Sequence, residues 1–285
     1  MEQVSTTSPA KDKQPVRLQT NGYLDHAFSI FKARQHPIVL LEESALRWMG
    51  VRVSPEEDLD LLLRDSDMQI IMADLLATDQ FDLVEQNLDI RLSDTYTQQV
   101  PRLRFKTNDN ISYGCISLWS ERVYMLNINS EKIEVLDTYP WNVVLMEERF
   151  DLHPSCAQAA SISYTTCISK GVMVLPPTLA RSADMKYPIY IPTIPRILDA
   201  LLDQARYRIT YAENFPGKGG NRPSYHLSNF VRYLHLEKPQ QRKRLLPELA
   251  ERNRGAMEAV INKFKRKPLL TLASFQQMEL GKTFR

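Results

Sequence analysis

Cysteine is scarce in this chain, and its spacing argues against two common uses of the residue. The 285 residues include 3 cysteines, Cys115, Cys156 and Cys167, and no pair of them has C-x-x-C spacing. An odd number without paired spacing indicates neither a disulfide framework nor a zinc site. We therefore expect thiols in a reducing compartment, with Cys115 as a small core residue of a strand.

An excess of charge of one sign is also lacking. Lysine and arginine number 36, against 34 aspartate and glutamate residues, which gives a formal net charge of +2. So small an excess does not favour nucleic acid as a partner. The basic run from Lys263 to Lys267 is interpreted as the solvated end of a helix, with a phosphate-binding patch as the alternative.

Long apolar runs are the third absence. No stretch approaches the roughly 20 apolar residues of a membrane-spanning helix, and the N-terminus lacks the apolar core of a secretory signal. Residues 1–21, rich in Ser, Thr, Lys and Gln, are predicted to form a disordered tail. The expectation is a cytoplasmic protein without a membrane partner.

The composition that remains is that of a folded α/β protein. Hydrophobic residues make up 43% of the chain and charged residues 25%, which is enough apolar surface for a sizeable core. Pattern changes along the chain predict an α/β domain over 22–150, an irregular connecting segment over 151–190 and a helical C-terminal region over 191–285.

Residues 36–64 form the stretch around which the chain is organised. The apolar run Ile38 to Leu41 predicts a buried strand, and Ala45 to Met49 a short helix that ends at Gly50. A second strand follows, in which Asp58 and Asp60 alternate with leucines. Because alternate side chains of a strand project from one face, both carboxylates lie on the same side and can share a divalent cation.

At these residues the sequence resembles the nucleotidyltransferase-fold superfamily, and most closely a group of fungal proteins with that fold. The family pattern is a strand, a glycine-glycine or glycine-serine turn into a helix, and a later strand that carries Asp-x-Asp. The ALRWMG helix and the EDLDLLL strand match this pattern, whereas Glu42 and Glu43 replace the small residues of the turn. The resemblance implies a nucleotidyltransferase-type mixed sheet, an α/β (α+β) fold, with a C-terminal helical region.

The resemblance also implies an activity. In active members, carboxylates hold magnesium, which bridges the triphosphate and stabilises the charge that develops as pyrophosphate leaves. Asp58 and Asp60 match the metal ligands, and Glu134 is the candidate for a third catalytic carboxylate, with Asp137 as its alternative. The implied function is metal-dependent transfer of a nucleotidyl group to a small molecule, with a nucleoside triphosphate as a ligand.

The turn at Glu42 and Glu43 leaves two other functions open. A glutamate within about 5 Å of a phosphate charge costs roughly 3 kcal/mol at an effective dielectric constant near 20. As the first residues of a helix, the same glutamates complement its dipole whatever the function. The alternatives are therefore a repurposed protein that binds or transforms a small metabolite, conceivably in fungal specialised metabolism, and a pseudoenzyme that acts as an interaction partner.

Further substrate-binding candidates lie within residues 36–64 or far from them in sequence. Ser44 offers a hydroxyl at the turn, and Arg47 and Arg64 offer cations on either side of the Asp-x-Asp strand. Lys218 and Arg222 lie in a loop over 215–223 that lacks the G-x-x-x-x-G-K-[ST] spacing of a phosphate loop. This loop is interpreted as a mobile surface loop, or as a lid over the Asp58 and Asp60 edge.

The remaining pattern predicts further helices and strands. Helices are expected over 23–35, from a Ser66 and Gln69 capping box to Ala77, and over 193–202, 224–236 and 245–263, the last broken by Gly255. Strands are expected over 111–118, 123–128, 132–137 and 171–175, the second and third joined as a hairpin. His226 and His235 are nine residues apart, so they do not share a helix face at close range.

Overall fold

The structure is a computed structural model that describes residues 24–49, 51, 59–84, 100–106, 115–135, 187–211 and 222–265. Its helices are α1 (Asp25–Ala33), α2 (Glu42–Trp48), α3 (Met68–Ala77), α4 (Glu121–Tyr124), α5 (Ile194–Tyr211), α6 (Arg222–Tyr233), α7 (Pro239–Leu245), a 3-10 turn (Leu246–Glu248) and α8 (Glu251–Lys265). Its strands are β1 (Ile38–Leu40), β2 (Leu59–Leu63), β3 (Phe81–Leu83), β4 (Arg102–Phe105), β5 (Cys115–Ser120), β6 (Lys132–Val135) and β7 (Ile189–Pro192).

The strands of the described chain form one mixed sheet, in the order β3-β4-β5-β2-β1-β7-β6. The central strand β2 runs parallel to β5 and antiparallel to β1, and β1 runs parallel to β7. The outer pairs are antiparallel. The prediction of a mixed α/β sheet is therefore confirmed. No helix within the described ranges combines the length and the apolar character that crossing a membrane requires.

The core strands follow from their apolar content. Every residue of β1 and of β2 is buried, because both strands lie in the middle of the sheet and are covered on both faces. The predicted strands over 38–41 and 58–63 correspond to β1 and β2, with position 58 outside the described residues. The predicted helices over 23–35 and from 66 to Ala77 correspond to α1 and α3.

The helical stripe of the C-terminal region is confirmed. Five apolar side chains of α5 are at most 4% exposed: Ile194, Ile197, Leu198, Leu201 and Leu202. Their 3.6-residue spacing aligns them on one face, so burying that face stabilises the helix. The Gln204 side-chain amide on the same helix donates a hydrogen bond to the Tyr124 carbonyl, 2.7 Å away, and thereby joins α5 to α4.

A buried polar network joins α5 to α8. Both carboxylate oxygens of Asp199 accept from the Ala250 N–H, at 3.1 Å each, immediately before α8 begins. The Asn253 side-chain amide donates to Asp199 Oδ1 at 2.9 Å, and Arg252 pairs with Asp203 at 2.6 Å. Asp199 thus satisfies a backbone N–H that the start of α8 would otherwise leave without an intrahelical partner.

The predicted strand over 123–128 is wrong, and so is its hairpin with 132–137. The Ser120 hydroxyl accepts from the Val123 N–H, 3.3 Å away, and starts α4 instead. Met125 then adopts a left-handed backbone with φ 58°, and the chain turns before β6. The partner of β6 is β7, more than fifty residues later. Val123, Tyr124, Leu126 and Ile128 are buried by a helical turn and a loop. A short apolar run does not show whether a strand or a helical turn buries its side chains.

Two predictions about helix ends are also wrong. Ser66 does not form a capping box, because its hydroxyl donates to Asp67 Oδ1 at 2.8 Å and Asp67 is the N-cap of α3, without a side-chain capping bond. Gly255 does not break its helix: α8 is continuous through it. The helix predicted over 245–263 is instead divided earlier in sequence, between Leu245 and Glu251.

Several predictions fall on other parts of the chain. The disordered tail over 1–21, the strand over 171–175, Asp137, Cys156, Cys167 and most of the loop over 215–223 lie outside the described residues. Strands β3 and β4 were not predicted individually, and β7 occurs at the boundary between the predicted connecting segment and the helical region. All three have only three or four residues, too few for periodicity to be distinctive.

Candidate functional site

Asp60 lies in the centre of the sheet rather than at a solvated edge. It is the second residue of β2 and is 4% exposed. Its Oδ1 atom accepts a hydrogen bond of 2.6 Å from the indole Nε1–H of Trp119 on the neighbouring strand β5. The neighbouring strands and the packing around β2 thus remove this side chain from water.

The residues in line with Asp60 on the neighbouring strands carry no carboxylate. Ser117 of β5 lies directly opposite it and is 4% exposed. On the other side, the Leu41 N–H donates to the Asp60 carbonyl at 2.9 Å, immediately after β1. Opposite residues of paired strands share a face, so β5 offers Asp60 the Ser117 hydroxyl in addition to the Trp119 indole N–H.

Of the other two predicted catalytic positions, only Glu134 is described, and it lies far from Asp60 in the sheet. Asp58 lies outside the described residues. Glu134 is exposed on β6, the edge strand three positions from β2, which corresponds to a separation of about 14 Å at the usual strand spacing. It lies opposite Tyr190; burial, with the Glu134 charge as the second cause, raises the pKa of the Tyr190 hydroxyl.

Glu42 occupies an unusual backbone conformation. It is the first residue of α2 and has a φ of 52°, in the left-handed region. A residue with a Cβ pays roughly 1–2 kcal/mol in this region, whereas glycine enters it without that cost. The resemblance predicts a glycine-rich turn at this point, and Glu42 has a backbone conformation that glycine adopts readily.

The Glu42 carboxylate is buried against a histidine of the C-terminal region. Its Oε2 atom lies 2.8 Å from Nε2 of His226 on α6, and both side chains are 2% exposed. The pair is within ion-pair distance, although its angles are not those of a hydrogen bond. Glu42 therefore does not project into solvent, and the expected repulsion of a phosphate by an exposed Glu42 charge does not apply in this form.

Arg64 lies at the opposite end of β2 from Asp60, four residues or about 13 Å along the strand. Its guanidinium pairs with Asp67 at 3.2 Å. Its backbone N–H donates to Nε2 of the buried His36 at 3.0 Å. These contacts hold Arg64 at the junction between β2 and α3. Arg64 therefore does not lie beside Asp60.

The remaining substrate-binding candidates are described only in part. Ser44 is partly exposed within α2. Arg47 lies in α2 and Arg222 begins α6, and both side chains are outside the described part of the structure. Lys218 is likewise outside it. The structure therefore neither brings these cations to Asp60 nor separates them from it.

Three polar residues of this end of the sheet were not predicted: Trp119, Ser117 and Thr193. Thr193 follows β7 and is 4% exposed, and its hydroxyl has no hydrogen-bond partner within the described chain. Its carbonyl accepts from the N–H groups of Arg196 and Ile197 at 3.1 Å each. Pro195 removes an N–H that a threonine in this position commonly bonds. The sequence signal for this hydroxyl without a partner was the Thr-x-Pro motif, Thr193 to Pro195, at the start of a helix.

Among the described residues, Asp60 is the carboxylate at this site that could bind magnesium. No group of three His, Cys, Asp or Glu side chains among the described residues could hold a metal ion. Magnesium bound with a triphosphate commonly takes one or two protein carboxylates, with phosphate oxygens and waters completing its octahedral coordination. Asp60, with Asp58 two residues earlier, is compatible with that requirement.

Comparison with protein-family models, with curated proteins and with solved structures found no match to this chain.

Proposed function

We propose that this chain is a nucleotidyltransferase-like protein that transfers a nucleotidyl group from a nucleoside triphosphate to a small molecule. The observation that carries the proposal is the conformation of Glu42. Its φ of 52° gives the turn between β1 and α2 a glycine-like backbone, and its carboxylate is directed to the buried His226 rather than to solvent. A glutamate at the position where the resemblance has glycine is therefore compatible with such a turn, without an exposed negative charge from Glu42.

Asp60 is the second support. It follows the turn in the neighbouring strand, as the Asp-x-Asp of the resemblance requires, and its carboxylate is held by Trp119. Asp60 and Asp58 would hold magnesium, which when bound supplies positive charge that stabilises the departing pyrophosphate. Asp60 would thus contribute the fixed negative charge that places the cation at one end of β2.

A second candidate is a repurposed protein that binds a small metabolite without nucleotidyl transfer. The residue opposite Asp60 on β5 is Ser117, and Glu134 is three strands from β2. A catalytic set of three carboxylates is therefore not assembled within the described residues. This observation favours ligand binding through hydroxyl and carboxylate groups over transfer.

Thermal unfolding in the presence of ligands separates the two candidates. The four nucleoside triphosphates are tested with magnesium, with EDTA and against magnesium alone. If transfer is the function, one or more triphosphates stabilise the fold by about 2.7 kcal/mol at a hundred times the dissociation constant. That stabilisation requires magnesium and is lost in Asp60→Asn, which keeps an oxygen acceptor for Trp119.

Asp82→Asn is the matched control, because Asp82 is an exposed strand aspartate whose side chain is 66% accessible and pairs with Lys106. It should leave any triphosphate response unchanged. Release of pyrophosphate on addition of small-molecule acceptors then tests the transfer itself. A fold that no magnesium triphosphate stabilises, but that small uncharged or amine-bearing metabolites do, would reject transfer in favour of the second candidate.

A further inference from the structure

The hydrogen bond between Trp119 and Asp60 restricts a side chain that otherwise rotates. The terminal torsion of aspartate is broad, so a carboxylate without directional contacts samples many orientations. Here the indole N–H donates to Asp60 Oδ1 at 2.6 Å, and both residues are 4% exposed. A donor that is itself fixed and buried selects a carboxylate orientation.

Trp119 is fixed by its own neighbours. Its ring meets the Tyr124 ring edge to face, with centroids 5.4 Å apart and planes at 84°. The Tyr124 carbonyl accepts from the Gln204 amide of α5 at 2.7 Å. A continuous series of contacts therefore runs from α5 through α4 and the indole to the Asp60 carboxylate.

We infer that Trp119 is a positioning residue for Asp60, and that its N–H sets the orientation in which this carboxylate binds a divalent cation. The inference rests on the proposed function, in which Asp60 is a cation ligand. Outer-shell hydrogen bonds to ligating groups typically affect metal affinity by 10–100-fold. The contribution of Trp119 is therefore separable from that of Asp60 by substitution.

Manganese is the probe, because it replaces magnesium and its unpaired electrons broaden nearby nuclear resonances. The chain has 3 tryptophans, so labelling with 15N-tryptophan gives three indole N–H signals, and Trp119→Phe assigns the one from Trp119. This signal should shift in Asp60→Asn and broaden first as manganese is added. Trp119→Phe keeps a ring against Tyr124 and removes the N–H, and manganese affinity should fall by about 10–100-fold.

Tyr124→Leu is the packing control. It disturbs the surroundings of the indole and leaves its N–H donor in place, so manganese affinity should change by less than about threefold even if the melting temperature falls as much as in Trp119→Phe. Equal losses of affinity in both variants would show that Trp119 acts through packing alone. Undiminished affinity in Trp119→Phe would also overturn the inference.

The result for the unmodified chain separates this inference from the proposed function. If manganese binds and broadens the Trp119 signal, the variants decide the role of the indole. If manganese at millimolar concentration, added alone and then with each nucleoside triphosphate, neither binds nor broadens this signal, the cation site of the proposed function is rejected, and the positioning role is rejected with it. A Trp119 signal that is unmoved in Asp60→Asn would reject the hydrogen bond itself.

Discussion

His36 accepts a hydrogen bond from the backbone N–H of Arg64 through Nε2, at 3.0 Å, and donates from Nδ1 to the Pro37 carbonyl at 2.8 Å. The Tyr187 hydroxyl donates to the His36 carbonyl at 2.6 Å. The neutral imidazole is therefore the species that joins the start of β1 to the end of β2. Burial is the main cause that lowers the pKa of His36 to about 4, against an offsetting contribution from the Pro37 carbonyl.

This contact predicts a loss of stability in mild acid. Since the pKa of His36 is about 4 in the folded protein and 6.5 as its ordinary value, the unfolded chain takes up the proton first as the pH falls. The contribution of the neutral His36 side chain to the free energy of unfolding is fully present above pH 6.5 and is lost as the pH falls from 6.5 to 4. At about 1.4 kcal/mol per pKa unit, the loss reaches roughly 3 kcal/mol.

Urea unfolding between pH 7.5 and 4.5 measures this loss, and His36→Gln is the comparison. Glutamine keeps an acceptor for the Arg64 N–H but does not titrate, so the variant should be less stable at neutral pH and show a flatter pH dependence. Parallel curves for the two proteins would assign the acid sensitivity to other groups.

The Glu42 and His226 pair predicts non-additive substitutions. Glu42→Gly relieves a left-handed backbone but removes the carboxylate beside a buried imidazole, so in the unmodified chain it should destabilise. In a His226→Leu background the contact with the imidazole is already absent, so Glu42→Gly should cost about 1 kcal/mol less than it does in the unmodified chain. Free energies of unfolding of the four proteins give the coupling; additivity within about 0.5 kcal/mol would contradict it.

Gly255 is a site for a stabilising substitution. It lies in the exposed interior of α8, and a Cβ there would meet no atom within 4 Å. Alanine loses less backbone entropy than glycine on folding, so Gly255→Ala should raise the free energy of unfolding by about 0.5–1 kcal/mol. Glu258→Ala, at an exposed position on the same helix, should remain within about 0.5 kcal/mol. A destabilised Gly255→Ala protein would mean that this helix surface is covered.

The hydrogen bonds of Asp199 between α5 and α8 should contribute more to the free energy of unfolding than the exposed ion pair of Asp203 does. Asp199→Ala leaves the Ala250 N–H without its acceptor and removes the carboxylate from the buried Asn253 amide, which keeps the Asp199 carbonyl at 3.3 Å; the loss should be about 2–3 kcal/mol. Asp203→Ala removes a pair with Arg252, whose side chain is 62% exposed, and should cost at most about 1 kcal/mol. Chemical denaturation of both variants tests the ranking, and equal costs would contradict it.

Local sequence patterns determined those helices and strands whose buried face is made of residues from one short segment of the chain. The stripe from Ile194 to Leu202 specified α5, and the apolar runs beside Asp60 specified β1 and β2, because 3.6-residue and two-residue periodicities report which side of an element is buried. The mixed sheet was expected from the resemblance and not from these periodicities. Val123 to Ile128 failed because a short apolar run is consistent with burial in either a strand or a helical turn.

Tertiary structure decided the environment of each charged group. The Glu42 side chain reads as an exposed helix start until His226, 184 positions later, is placed 2.8 Å from it. The sequence places Asp60 with Asp58 on one side of a strand; strand order then puts β2 fourth among the seven strands of the described sheet, where Trp119 donates to the Asp60 carboxylate. Contacts between residues distant in sequence depend on which strands pair and which helices pack, and no local period encodes that choice.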